Sequence, residues 1–339
     1  MADAETVEGL RLPPGSRVSV PGRGWPWVWD SGPRPGATTV VLLHGWTSTA
    51  ALTWRHAMAP LSEQFRVVAP DLRGHGRGIR SWRPFRLEDC ADDIAGLIDT
   101  LGVGPVIVVG YSMGGPVAQL VWRRRREVVS GLVLCATASN FARTPMSGVV
   151  VAATALSLGL AAATLPGVMR AAGMRRVARS TFPPGASPHA GWAAGEWGGA
   201  DPAGLFGACA ALLRFDSTAW VAGIDVPTGV IITDADQTVP PERQHELASA
   251  IPGSFSLALQ GAHRCCAENP ELFVPVLSQA CERVDHAVKT LPMPVSPRGP
   301  GRRRAPPRRS GDLVGETCAP GDQTPTPPPP RGLRSVPER

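Results

Sequence analysis

The sequence predicts an α/β domain: a doubly wound, mostly parallel sheet of eight strands, with a helical insertion between the sixth and seventh strands and a tail that does not fold. Three observations predict it. Besides a last strand at 255–259, short runs of β-branched and apolar residues recur at 38–43, 65–69, 106–109, 132–135 and 226–232, without the alternation of a half-exposed strand. Such runs mark strands buried on both faces. Stretches of helical periodicity separate them, and strand, helix, strand in succession implies right-handed crossovers into a parallel sheet. At residue 291 the composition changes to Pro, Arg, Gly and Thr, with prolines at 327–330, and such a segment cannot bury enough apolar surface to order itself.

In chain order, 17–20 and 27–29 read as an antiparallel hairpin at the sheet edge, turning through Gly22 and Gly24. The run at 38–43 stops at His44, Gly45 and Trp46. A helix is expected over 52–64, then a strand at 65–69 ending in PDLRGHG. Ile94, Leu97, Ile98 and Leu101 give 87–101 one apolar helical face. The strand at 106–109 leads into a helix over 117–126, whose last four arginines read as a solvated helix end favoured by the C-terminal dipole. The strands at 226–232 and 255–259 flank a helix at 243–251, and 270–289 reads as a closing helix.

Residues 141–221 are expected to form a helical cap, dividing the core into 1–140 and 222–290. No charged side chain lies between Arg143 and Arg170, and VVVAATALSLGLAAATLPGVM is long enough to span a bilayer. A single span there would put the early and late strands on opposite sides of a membrane, so it reads as a cap whose apolar faces line a pocket or pack on the core. Trp192, Trp197 and Trp220 add apolar area, with Gly and Pro between them suggesting loops.

The net charge is +6, but nine arginines against four acidic residues from 291 onward carry +5 of it. The body is near neutral, so no nucleic-acid partner is expected. The basic tail or the cap is instead the expected place for any peripheral membrane contact. Seven scattered cysteines show no C-x-x-C pair and no histidine at ligand spacing, so neither a disulfide framework, a metal site nor a cofactor is expected. MADAETVEGL lacks the basic start and apolar run of a signal peptide, and a cytoplasmic location is expected.

The stretch 106–116, VIVVGYSMGGP, ends a strand abruptly in G-Y-S-M-G and turns helical, with Ser112 at the corner. A serine hydroxyl becomes a nucleophile when it is exposed, beside a base and near amides that hold an oxyanion. A strand-to-helix elbow supplies the exposure and the amides. Gly110 and Gly114 flank the serine where a side chain would collide with backbone, and Gly115 keeps the helix start open. A serine esterase site also needs a histidine and a carboxylate that fixes its tautomer. His263 follows the strand at 255–259, which places it at the same sheet edge as Ser112. His75 reads as structural, and His56, His189, His245 and His286 as surface or helix residues. Asp234 and Asp236 both follow the strand at 226–232 and both fit the third position.

The succession HGW (44–46), PDLRGHG (70–76), GYSMGG (110–115), DQTVP (236–240) and GAH (261–263) resembles an α/β-hydrolase with a cap domain, over about residues 17–287. The resemblance implies Ser112 as nucleophile, Asp236 as acid and His263 as base, in that chain order. It prefers Asp236 to Asp234 on its place before Pro240, and it assigns the oxyanion hole to the backbone N–H groups of Trp46 and Met113. Gly78 departs from the small polar residue of many relatives, a difference expected to touch only a loop. Relatives with an aspartate at the elbow carry out alkyl transfer, so the serine points instead to an acyl-enzyme. The expectation is an esterase or lipase acting on small apolar esters. Thioesterase, perhydrolase, carbon–carbon hydrolase and non-catalytic receptor variants share the same frame.

Overall fold

The computed structural model describes residues 10–142 and 189–290, together with Thr6, Val7 and scattered positions between 154 and 180. The apolar first half of the expected cap and the tail after 290 lie outside the described residues. Among those described, no helix is long and apolar enough to cross a membrane.

β1 (Thr6–Val7) and β2 (Leu10–Arg11) form a small antiparallel sheet that the sequence did not signal. The main sheet contains β3 (Gly15–Arg17), β4 (Trp27–Asp30), β5 (Thr39–Leu43), β6 (Arg66–Pro70), β7 (Val106–Tyr111), β8 (Val129–Cys135), β9 (Thr228–Thr233) and β10 (Phe255–Leu259), in the order β10-β9-β8-β7-β5-β6-β4-β3. β3 and β4 are antiparallel to their neighbours, and the rest run parallel. The expected eight-stranded, mostly parallel sheet is therefore present.

The central strands are buried throughout. Their side chains alternate between faces. Val41, Leu43, Val106, Val108, Leu132 and Leu134 meet α3 (Leu87–Leu101) and α4 (Gly114–Arg124). Val40, Leu42, Ile107, Val109 and Val133 pack on the opposite side with α1 (Ala50–Trp54), α2 (Met58–Ser62) and the closing helix Pro270–Thr290. Each fully buried aliphatic side chain contributes about 1.5–3 kcal/mol relative to exposure, which explains why these runs are uninterrupted by polar residues.

Several elements differ from the sequence reading. The helix expected over 52–64 is split into α1 and α2, because Pro60 has no N–H to give to residue 56 and is tolerated only in the first turn of a new helix. The first hairpin arm is Gly15–Arg17 rather than 17–20. Val20 only bridges Gly24 across a turn whose Gly22 and Gly24 have positive φ, and its side chain packs toward Gly96 of α3. The terminal arginines of the elbow helix are paired rather than simply solvated: Arg124 with Asp92, Arg125 with Asp99 and Glu127, and Arg126 with Asp225, while Arg123 lies over the Trp220 ring.

Two helices of the insertion are described, α5 (Ala190–Gly198) and α6 (Pro202–Arg214). The glycines around Trp192 and Trp197 lie within or at the end of α5 instead of forming loops. Trp220 sits outside this pair, stacked on Trp122. The two stems of the insertion meet where Asn140 bridges Asp216, and Arg243 donates to the carbonyls of Asn140 and Ala142. α5 and α6 rest on the PDLRGHG loop. Asp201 N–H donates to Gly74 O at 3.1 Å, Arg77 pairs with Glu196, and a Cβ at Gly74 would stand 2.9 Å from Gly204 Cα.

Candidate active site

The order of the sheet reverses between β5 and β7, which lie side by side although β6 and α3 intervene in sequence. The crevice at the carboxyl ends of strands beside such a reversal is where open α/β sheets bind ligands. The HGW loop leaves β5 there, and Ser112 leaves β7. A Cβ placed on Gly45 would lie 3.3 Å from Ser112 Cβ, so the loop backbone runs directly against the serine.

Ser112 has a φ of 52°, a left-handed conformation held by its surroundings. Its N–H donates to Cys135 O at 2.9 Å, and its carbonyl accepts from Gly115 N–H and from the Thr137 hydroxyl at 2.8 Å. The elbow closes so tightly that a Cβ on Gly110 would lie 2.3 Å from Gly114 O, and one on Gly114 would lie 2.2 Å from Leu43 O. Both glycines are therefore required by backbone contact. At Gly115 the obstacle is the Thr137 side chain.

His263, beyond β10, faces the serine with Nε2 2.9 Å from Ser112 Oγ. Its Nδ1 is 2.7 Å from Asp236 Oδ2, beyond β9. Of the two aspartates left open by strand position, Asp236 is the one brought to the histidine, while Asp234 is exposed. Asp236 Oδ1 accepts from the N–H groups of Thr238 and Val239, and Oδ2 also accepts from the Thr233 hydroxyl and Gln244 Nε2. Burial alone would raise the carboxyl's pKa. The His263 hydrogen bond and charge, with the donors from Val239 and Thr233, outweigh burial and hold it below the usual carboxylate range.

Met113 is buried at the start of α4, and Trp46 lies on the loop beside Ser112. Neither N–H donates to an acceptor among the described residues. His44 fixes that loop: Nδ1–H donates to Gly45 O at 2.8 Å, and Nε2 accepts from Leu72 N–H at 2.9 Å. Burial pushes the His44 pKa down to about 4, so the acceptor form persists at neutral pH.

Thr137, Gln244 and Tyr111, whose hydroxyl donates to His263 O at 2.6 Å, support the site but were not singled out in the sequence. Tyr111 occupies a variable position of the elbow motif. Thr137 and Gln244 had no signal beyond lying after a strand and in a helix. Among the described residues no His, Cys, Asp and Glu cluster could hold a metal ion.

A model of the α/β hydrolase fold matches residues 38–269. A bifunctional esterase/perhydrolase from Acinetobacter calcoaceticus is 39% identical over 106 residues, 31% of this chain and 38% of the relative. A lipase from Mycobacterium tuberculosis is 38% identical over 100 residues, 29% and 37% of the two chains, and a soluble epoxide hydrolase from Corynebacterium is 38% identical over 95 residues, 28% and 33%. The matched segments thus span little more than a third of these curated relatives. Among solved structures, a thermophilic esterase from Thermogutta terrifontis superposes with a TM-score of 0.62 at 27% identity, covering 82% of this chain and all of that one. An enol-lactonase from Burkholderia xenovorans gives 0.63 at 26%, covering 79% and all of that chain. With its sheet order, its glycine-flanked elbow serine and a family match over most of its length, the chain belongs to the α/β-hydrolase fold family.

Proposed function

We propose that the protein is a serine hydrolase that cleaves carboxylic esters with apolar acyl or alcohol groups through an acyl-serine intermediate. The observation that carries this reading is the continuous relay from Ser112 Oγ to His263 Nε2 at 2.9 Å and from His263 Nδ1 to Asp236 Oδ2 at 2.7 Å. Ester cleavage is also what the names of the esterase and lipase relatives state of those proteins. The epoxide hydrolase likeness is weighed against the elbow residue: alkyl transfer to the enzyme needs a carboxylate nucleophile, and position 112 is serine.

In this reading His263 Nε2 takes the proton of Ser112 as Oγ attacks the ester carbonyl, and the negative oxygen is held by the N–H groups of Trp46 and Met113. Met113 opens α4, so the helix dipole adds to its amide. The adduct collapses by breaking the carbon–oxygen bond to the alcohol, which receives the proton from His263. Water, giving its proton to the same nitrogen, then attacks the acyl-serine and releases the acid. Asp236 keeps Nδ1 protonated throughout and stabilises the charged imidazole.

The domain division follows the same reading: 1–140 and 222–290 as catalytic core and 141–221 as a cap that selects the substrate. The test is fluorophosphonate labelling with peptide mapping, followed by p-nitrophenyl esters of increasing acyl length. Labelling confined to Ser112 and abolished in Ser112→Ala, with turnover of the esters, is the expected result. A wild-type protein that binds apolar esters but is neither labelled nor active would replace the enzyme with a receptor.

A further inference from the structure

Two indole N–H groups join the HGW loop to the insertion in opposite directions. Trp46, on the loop, donates Nε1–H to the carbonyl of Leu205 in α6 at 2.8 Å. Trp197, on α5, donates Nε1–H to the carbonyl of Thr47 at 2.7 Å. Both anchors therefore act on Trp46 and the residue after it, and through them on the peptide N–H of Trp46. Between the anchors the backbone is strained, since Thr47, a β-branched residue, has a φ of 55°. Such a conformation persists only where its surroundings over-determine it. Trp197 is embedded with Leu52, Ala193, Ala200 and Leu205, so its ring is fixed by packing and its N–H has a defined direction.

We infer that Trp197 and Trp46 are positioning residues that make the oxyanion-binding geometry of the HGW loop depend on the seating of α5 and α6. The inference rests on the proposed role of the Trp46 N–H. It adds that the insertion, besides covering the site, holds one of the two amides in place. Gly45 lies against Ser112, so a small displacement of the loop moves that amide relative to the attacking oxygen. An amide that meets negative charge only in the transition state contributes to kcat and leaves substrate binding unchanged.

The variants W197F and W46F each keep an aromatic ring and remove one N–H. The readouts are kcat and KM for p-nitrophenyl butyrate per Ser112 titrated with fluorophosphonate, and the inhibition constant of phenylboronic acid, whose tetrahedral adduct presents an anionic oxygen. In W197F kcat is expected to fall roughly tenfold and boronate affinity by a similar factor, with KM within about twofold. W46F is expected to shift the same two quantities together. A kcat and boronate affinity both within about twofold of wild type in a folded variant, or a loss confined to KM, overturns the inference. Should W197F fail to fold, W46F decides by the same criteria. Wild-type protein that neither turns over ester nor binds boronate refutes the serine-hydrolase reading and this inference with it; active wild type with unaltered variants refutes the inference alone.

Discussion

Replacing Asp236 by Asn tests the relay most sharply, because the hydrogen bonds around that side chain dictate how an amide must sit. Oδ1 receives two backbone N–H groups, from Thr238 at 2.8 Å and Val239 at 2.9 Å, and an NH2 group there would face two donors. Oδ2 also accepts, from the Thr233 hydroxyl and from Gln244 Nε2 at 3.3 Å, but the hydroxyl can turn to Gln244 Oε1 whereas backbone donors cannot turn, so the amide oxygen takes the Oδ1 position and the NH2 group that of Oδ2, 2.7 Å from His263 Nδ1. Nδ1 must then accept, which puts the imidazole proton on Nε2, pointing at Ser112 Oγ. In that tautomer the ring cannot take the serine proton. The expected loss in kcat is on the order of ten-thousandfold. Exchanging charge-assisted hydrogen bonds for neutral ones should also cost about 1–3 kcal/mol of stability. Asp236 has a folded pKa held below the ordinary carboxylate value, so its contribution is present above that value and fades as pH falls through the folded one. The assay is single-turnover ester cleavage alongside urea denaturation at neutral pH. A folded Asp236→Asn enzyme within about tenfold of wild type would refute the tautomer argument.

Gly78→Ser should destabilise the fold by about 1–3 kcal/mol, read from the urea midpoint. The reason is a Cβ that would lie 2.2 Å from Leu72 O and 2.7 Å from Asp71 O; an unchanged midpoint would show that this backbone yields freely. Burial pushes His44 and His75 from 6.5 down to about 4 and about 3. Below pH 6.5 the unfolded chain takes up protons that the folded chain refuses, so stability is full above that pH and declines toward pH 4. His44 alone would account for a loss of about 3 kcal/mol; denaturation midpoints that stay flat from pH 7 to 4.5 would contradict this. Burial raises the Cys90, Cys209, Cys265, Cys266 and Cys281 thiols, Cys266 and Cys281 to about 12, so access separates them: Cys209 is only half-buried and the other four are buried. Iodoacetamide at pH 8 should therefore reach Cys209 before any of the buried four; early alkylation of Cys265 or Cys266 would contradict their burial.

The central strands were legible because each is a run of residues that tolerates only burial, and the candidate site was legible where chemistry restricts residue type to Ser, His, Asp and Gly. The break at residues 55–57 was legible in principle, since Pro60 falls inside the expected 52–64 helix, where a proline removes a backbone hydrogen bond and forces a new start. What escaped the sequence was set by contacts between distant segments. Gly78 reads as a neutral loop change because its obstacle is the backbone of 71–72, reached only after the loop folds back on itself. The choice between Asp234 and Asp236 could not be made from strand position, since both follow β9. It is decided by which carboxylate faces inward to the backbone donors of Thr238 and Val239.

The backbone strain has a location that binds these observations together. Among the described residues, three without a glycine's freedom have positive φ: Thr47, Ser112 and Ala136. They follow β5, β7 and β8, which are consecutive in the sheet. Each is secured from a neighbour: Thr47 O by the Trp197 indole, Ser112 N–H by Cys135 O, and Ala136 N–H by Ile231 O. Thr137, the next residue after Ala136, returns its hydroxyl to the Ser112 carbonyl. A stable sheet edge has no need of three left-handed residues side by side. Under the proposed acyl-serine mechanism, strain gathered at one rim and tied across three strands is what a fixed hydroxyl facing fixed amides requires, and electrostatic preorganisation is then the feature this part of the chain is built to deliver.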